Sequence, residues 1–169
     1  LEVFDGAATV EQKEEIVRMS VGYSPEAAPG LLKKALESSD PRLRLAAITA
    51  AGELHRGQPQ PEILHLGLVD EDESVRRTAF DFIRSREAGA RLELLGSVLT
   101  QLKHPDLMDS AIQEIAGLHR KDAFDLLVNS GSSMDAAWQT RIADTLGLVV
   151  QRKFADLPER GVMGSALQD

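Results

Sequence analysis

The apolar positions of this chain recur at the same places every 32 residues. Residues 40–51 read Asp-Pro-Arg-Leu-Arg-Leu-Ala-Ala-Ile-Thr-Ala-Ala, and the segments that begin at Asp72 and His104 repeat the pattern. In each segment an aliphatic residue comes three positions after the Asp or His, an alanine four positions later, and another apolar residue four after that. This spacing is the apolar stripe of an amphipathic helix. A fixed period of this length predicts stacked helical hairpins, each too small to bury its own apolar face.

Start signals in the sequence locate the individual helices. Thr9 and Gln12 form the Thr-x-x-Gln capping pattern, which predicts a first helix that ends near Val21. Ser24-Pro25 and Asp40-Pro41 each place a capping side chain before a proline at the first helical position, where proline costs little. The later helices are expected over about 41–54, 63–69, 73–86, 90–103, 105–118, 121–129 and 135–149.

The pattern divides the chain into three segments. Residues 1–8 have no periodicity and are expected to be a loose lead-in, whereas residues 9–150 form the repeat array. The period slips to 31 in the last repeat, so Trp138 takes the place of a core residue in what we interpret as a capping unit. Residues 151–169 contain Pro158, Gly161 and Gly164 and are expected to be a partly loose tail. The sequence therefore predicts an all-α fold of about four helical hairpins with an N-terminal capping helix.

The repeats resemble a known family. The motif Asp-Pro-x-Leu-Arg-x-x-Ala-x-x-Ala-Ala at residues 40–51 resembles the second helix of a HEAT repeat, and residues 72–79 are similar. The period resembles that of the bacterial HEAT-like repeats of the phycobilisome-lyase type, over about residues 24–149. Met108 and Gln139 replace the arginine of the motif in the third and fourth repeats.

This resemblance implies a right-handed α-solenoid, armadillo-like in architecture, whose second helices line the concave face. It also implies a ladder of Asp–Arg pairs along the array. Its members here would be Asp40 with Arg44 and Asp72 with Arg76, and the ladder should fail at the third and fourth repeats.

Charge and composition narrow the classes of partner. The net charge is −8, and the Arg-rich stretch from Arg42 to Lys103 holds nine basic and nine acidic residues, so we expect no nucleic-acid partner. No run approaches 18 consecutive apolar residues and no signal peptide is visible, so we expect no membrane contact and a cytoplasmic location. The chain begins with Leu, and we expect it to be a piece of a longer polypeptide.

Side chains that could carry chemistry are scattered. There is no cysteine, and none of the four histidines has the spacing of a metal-binding motif, so neither a metal nor a cofactor is expected. His55 and His119 close second helices, where a cation is favourable. The acidic run at residues 70–73 is interpreted as a capped, solvated helix start, with a metal site as the alternative. Gly52 and Gly117 occupy nearly the same repeat position and are expected to permit close helix packing.

The most informative candidates are the positions between the core residues of the second helices. Residues one period apart should form rows, one through Leu45, Arg77 and Asp109 and another through Thr49, Asp81 and Gln113. Such rows favour a non-catalytic scaffold or regulatory domain that holds a segment or helix of a partner protein. The candidate binding residues are Arg42, Leu45, Thr49, Arg77, Asp81, Arg84, Asp109, Gln113 and Asp144.

Three alternatives remain open at the level of the sequence. The rows could be a merely solvated face. By resemblance, the chain could be an enzyme-associated protein of the bilin-lyase type, with a polar site in its concave groove. A nucleic-acid-binding HEAT-like module is the third alternative, which the even charge balance disfavours.

Overall fold

The computed structural model describes residues 2–23, 26–54 and 59–155, with side chains up to residue 151. These residues form ten α-helices and one short 3-10 helix, and they contain no strand, so the all-α prediction is confirmed for the described part of the chain. The α-helices are α1 (Glu2–Gly6), α2 (Val10–Tyr23), α3 (Ala28–Leu36), α4 (Pro41–Leu54), α5 (Pro61–Leu68), α6 (Glu73–Arg84), α7 (Ala88–Val98), α8 (Pro105–Gly117), α9 (Lys121–Gly131) and α10 (Ala136–Ala155). The 3-10 helix, Leu99–Gln101, directly continues α7.

The helices fall into two compact units, Leu1–Ala111 and Ile112–Asp169, whose boundary lies within α8. In the first unit α4 packs against α2, α3, α5 and α6, and α7 packs against α5 and α6. In the second unit α9 packs against α10. The described helices lack an 18-residue apolar segment of the kind that crosses a membrane.

Burial in the second helices follows the 32-residue period. Ala47, Ala79 and Ala111, which the sequence places at equivalent positions, are each 0% exposed. The aliphatic residues four positions before them, Leu43, Val75 and Leu107, are also buried. The register read from the sequence is therefore confirmed over these three repeats. In the last repeat Ile142 is buried, but Trp138 is only half-buried.

Two glycines mark places where helices approach closely in the first unit. A Cβ atom added to Gly67 of α5 would lie 2.5 Å from Ile48 Cδ1 of α4 and 2.6 Å from Ala79 Cβ of α6. A Cβ atom on Gly52 of α4 would collide with the ring of Phe82 of α6. The packing interpretation of Gly52 is thus confirmed, whereas Gly117 has open space around it, so that part of the prediction is wrong.

The N-terminal segment is more ordered than expected. Residues Glu2–Gly6 form α1, which packs on α2 and buries Phe4, so the prediction of a loose lead-in is wrong for these residues. The five-residue helix is too short to show a periodic stripe, and one aromatic side chain holds it. Lys34 of α3 forms an ion pair with Asp5, and the Lys13 ammonium lies 5.5 Å from the centre of the Phe4 ring.

The capping box predicted for α2 is present. The Gln12 amide donates to Thr9 Oγ1 at 3.2 Å, and Gln12 Oε1 accepts the Ala8 amide at 2.9 Å and the Thr9 amide at 3.3 Å. These bonds satisfy backbone donors at the helix start that have no intrahelical partner.

Other boundaries differ from the sequence prediction. Ser24 and Pro25, predicted to start a helix, lie outside the described residues, and α3 begins at Ala28. Helix α10 continues to Ala155, so the predicted tail over 151–169 is helical at its start. Pro158, Gly161 and Gly164 lie outside the described residues.

Replacement of Gly67 by alanine tests the close crossing of α5 with α4 and α6. We expect Gly67→Ala to lower the free energy of unfolding by about 1–3 kcal/mol, because the new methyl group overpacks against Ile48 and Ala79. Gly30→Ala is the matched control: Gly30 lies inside α3 with no atom within 4 Å of an added Cβ, and alanine there should stabilise by up to about 1 kcal/mol. Urea denaturation of both variants measures the difference. Equal stability of the two would contradict the crossing.

Candidate functional site

Two neighbouring helices, α4 and α6, carry most of the candidate binding residues. Because α4 packs directly on α6, the α4 residues Leu45 and Thr49 and the α6 residues Arg77, Asp81 and Arg84 lie on adjacent elements of the same unit. Leu45 is half-buried, whereas the other four are exposed. The first unit therefore carries the Leu45–Arg77 and Thr49–Asp81 portions of the two predicted rows on two helices that pack against each other.

Some of these side chains already have local partners. Thr49 Oγ1 donates to the Leu45 carbonyl at 3.0 Å, which uses its hydroxyl proton within α4. Arg77 Nη2 lies 3.3 Å from Glu73 Oε1 one turn earlier, but the Arg77 side chain remains 77% exposed. An exposed pair of this kind contributes little to folding. The guanidinium of Arg77 is therefore accessible to solvent and only weakly held by Glu73.

Arg42, another candidate binding residue, is engaged in a network between α2 and α4. Its guanidinium contacts Asp40 Oδ2 at 3.3 Å, Glu11 Oε1 at 3.0 Å and Glu14 Oε1 at 3.8 Å. Hydrogen bonds that Arg42 donates to Asp40 and then to Glu11 raise the pKa of Arg42, and Arg42 in turn lowers the pKa of Asp40. This arrangement joins two helices of the first unit, so Arg42 is less free than Arg77 to meet a partner.

The remaining candidates lie on later helices. Asp109 is half-buried on α8. Gln113, also on α8, and Asp144, on α10, are both exposed and belong to the second unit.

The Asp–Arg ladder differs from the one that the resemblance implied. Arg44 does not pair with Asp40; instead, its Nε lies 2.7 Å from Asp70 Oδ2 and its Nη2 lies 2.8 Å from Asp70 Oδ1. The Asp72 carboxylate caps α6 by accepting the Ser74 and Val75 amides and makes no bond to Arg76.

The reason for this difference is local. A carboxylate at the N-cap position is used by the first amides of its own helix. Asp40 likewise accepts the Arg42 amide at 2.9 Å. The pairing carboxylate must therefore come from another loop position, and Asp70, two residues before the cap of α6, provides it. The acidic run is thus not wholly solvated: Asp72 caps the helix as predicted, whereas the Asp70 side chain is only 9% exposed.

Arg44 and Arg76 lie one period apart, and the Nη1 atoms of both make equivalent hydrogen bonds. Arg44 Nη1 donates to the Ser38 and Ser39 carbonyls, and Arg76 Nη1 donates to the Asp70 and Glu71 carbonyls, which are the equivalent atoms 32 residues later. The remaining nitrogen atoms of the two guanidinium groups have different surroundings. Arg44 meets the Asp70 carboxylate, whereas the buried Nε of Arg76 has no hydrogen-bond partner among the described residues.

The sequence explains this asymmetry. The position one period after Asp70 is Leu102, a buried aliphatic residue that has no acceptor to offer. Asp70 itself has Ser38 as its equivalent in the preceding repeat. The sequence interpretation placed Asp70 in a solvated helix start and did not predict its pairing with Arg44, because an acid that occurs once has no counterpart in the other repeats.

The histidines do not form a chemical site among the described residues. His65 Nε2 lies 3.1 Å from Gln101 Oε1, and His119, two residues after the end of α8, has a positive φ of 53°, a conformation common just beyond the C-terminus of a helix. His55 lies outside the described residues. Within the described part of the chain, no group of three or more His, Asp or Glu side chains is arranged to hold a metal ion.

No protein-family model matches the sequence, and no curated protein sequence matches it. The HEAT-like assignment therefore depends on the repeat residues themselves, and function has to be argued from the surface.

Asparagine at position 70 tests the ion pair between hairpins. Burial acts to raise the pKa of Asp70, but the hydrogen bonds from Arg44 and the Asp72 amide outweigh it, so the pKa lies below the ordinary 3.8. We expect Asp70→Asn to destabilise by about 2–4 kcal/mol at pH 7, because Arg44 loses its counter-ion.

The ionised Asp70 carboxylate stabilises the folded protein fully at pH values above its pKa in the unfolded chain. That stabilisation is lost as the pH falls through the lower pKa of Asp70 in the folded protein. The difference in free energy of unfolding between the parent chain and Asp70→Asn, measured by urea denaturation, should thus become smaller below about pH 4. Asp72→Asn is the control, since asparagine caps a helix about as well as aspartate. A deficit independent of pH would contradict the ion pair.

Replacing Arg44 and Arg76 in turn by methionine compares a guanidinium group that has a carboxylate partner with one that does not. Arg44→Met should cost about 3–5 kcal/mol, because it leaves the Asp70 carboxylate buried without its partner. Arg76→Met should cost at most about 1–2 kcal/mol, because it removes a buried charge that has only carbonyl partners. Thermal and urea unfolding of both variants provides the comparison. A larger loss at Arg76 than at Arg44 would be inconsistent with the contacts described.

Proposed function

We propose that this chain is a non-catalytic protein-interaction module whose hairpins stack as a right-handed, HEAT-like α-solenoid. The burial period supports the repeat register, and the side-by-side packing of α4 with α6 supports neighbouring second helices. A partner segment would bind along the exposed side of these two helices. That packing of α4 on α6 is the observation that carries the proposal, because it makes neighbours of two helices that hold equivalent positions of successive repeats.

The binding surface is a small set of unlike side chains, which we call the strip. It offers an aliphatic residue, a threonine methyl group, two arginines and one carboxylate, a mixture typical of a protein interface. Its residues are Leu45, Thr49, Arg77, Asp81 and Arg84. Since Leu45 is half-buried, Arg77 is the main anchor, and its planar fork suits a carboxylate of the partner.

Charge reversal in the strip tests the proposal. We expect Arg77→Glu to reduce recovery of bound partners from a lysate by about tenfold, because the anchor would then repel their carboxylates. The melting temperature should stay nearly constant, since an exposed pair contributes about 0–1 kcal/mol. Quantitative mass spectrometry of pull-downs with the full chain measures recovery.

The matched control is Arg120→Glu. Arg120 is also an exposed arginine paired with an acid, Asp122, but lies outside the strip. Recovery of the same partners, in the same amounts, by the parent chain and by Arg77→Glu would exclude the strip as the binding surface.

A further inference from the structure

An apolar groove lies between the first helices of two successive hairpins, α3 and α5. Leu32 and Leu36 of α3, Leu54 at the end of α4 and Ile63 of α5 line its base. Leu66 of α5 forms part of its wall and is 54% exposed. The groove belongs to the first unit and is made by different helices from those that carry the strip.

The exposure of Leu66 is not a general feature of the repeat. One period later the equivalent residue is Val98 of α7, which is only 1% exposed. There α7 packs directly on α5. The aliphatic side chain of Leu66 is therefore exposed to solvent, whereas the equivalent aliphatic side chain in the next hairpin is buried.

Two charges of opposite sign line the groove. Lys33 lies on α3 and Glu62 lies on α5, and both side chains are exposed. Neither side chain makes a hydrogen bond or ion pair with another described residue. The groove thus presents a cation on the α3 side and an anion on the α5 side, with an aliphatic base between them.

We propose that this groove binds an amphipathic helix of a partner protein. The apolar row of that helix would contact Leu36, Ile63 and Leu66, with an acidic flank towards Lys33 and a basic flank towards Glu62. A helix suits the groove because it satisfies its own backbone donors and acceptors, whereas an extended segment would leave them unpaired against the aliphatic base.

The length of the walls sets the length of the bound row. Helices α3 and α5 have 9 and 8 residues, which corresponds to about 12–14 Å at 1.5 Å per residue. A ligand helix that runs alongside them contacts the groove over about two and a half turns. Apolar residues at positions i, i+4 and i+7 fill that distance.

The test uses the full chain and three synthetic helical peptides of about 16 residues. All carry leucine at i, i+4 and i+7; one has Glu on one flank and Lys on the other, one has Glu on both flanks, and one has Lys on both. Backbone amide NMR shifts report where each peptide binds, and fluorescence anisotropy reports its Kd.

We expect the mixed peptide to bind most tightly and to shift the amides of residues 30–36 and 62–66. Leu66→Glu should weaken it by about tenfold or more, whereas Val128→Glu, which changes another exposed aliphatic residue of a first helix, should not. Lys33→Glu should reverse the preference in favour of the Lys-flanked peptide. Arg77→Glu should leave the Kd of the mixed peptide unchanged, so the proposals for the groove and for the strip are tested independently.

Three results would overturn the proposal. The first is binding of none of the peptides, and the second is equal binding to the parent chain and Leu66→Glu. The third is self-association of the parent chain in sedimentation velocity that Leu66→Glu abolishes, which would make a second copy of this chain the occupant. Circular dichroism of each variant confirms that the helices are retained.

Discussion

The close approach of α5 to both α4 and α6 at Gly67 is the constraint on which both candidate surfaces depend. Because position 67 has no side chain, Ile48 of α4 and Ala79 of α6 both reach the α5 backbone. This contact holds α4 beside α6, the two helices that carry the residues of the strip. It also holds α5 in the position where Leu66 faces the groove. A larger residue at the crossing would disturb both surfaces together, although neither contains Gly67.

A buried ion pair reinforces the same junction between hairpins. The Arg44–Asp70 pair joins α4 to the loop before α6, and its bidentate geometry suits a buried site. Arg76 repeats the carbonyl contacts of Arg44 but has Leu102 where the carboxylate would be. The carbonyl contacts follow from the repeat, because they depend on the backbone of the preceding loop. The ion pair does not, because it depends on one side chain.

The same distinction explains how much could be predicted from the sequence. The helices of the array and the burial of Ala47, Ala79 and Ala111 follow from periodic positions, which a single chain reveals by comparison with itself. Asp70 occurs once, and the short helix α1 buries one side chain, that of Phe4, so neither has a periodic signal. The members of the strip were predictable as positions, but their environment was not. The half-burial of Leu45 depends on packing that periodicity does not encode.

Residues that depart from the period therefore distinguish one part of this surface from its equivalents in the other repeats. A repeat makes successive hairpins alike, and like surfaces offer a partner no unique place to bind. Leu66 differs from Val98 by 53 percentage points of exposure, and Lys33 and Glu62 give the groove beside it a direction. On α6, Arg77 has Leu45 as its equivalent, so the strip changes character within one period. Specific recognition requires this kind of unevenness, because only a non-repeating patch distinguishes one register of a bound segment from the next.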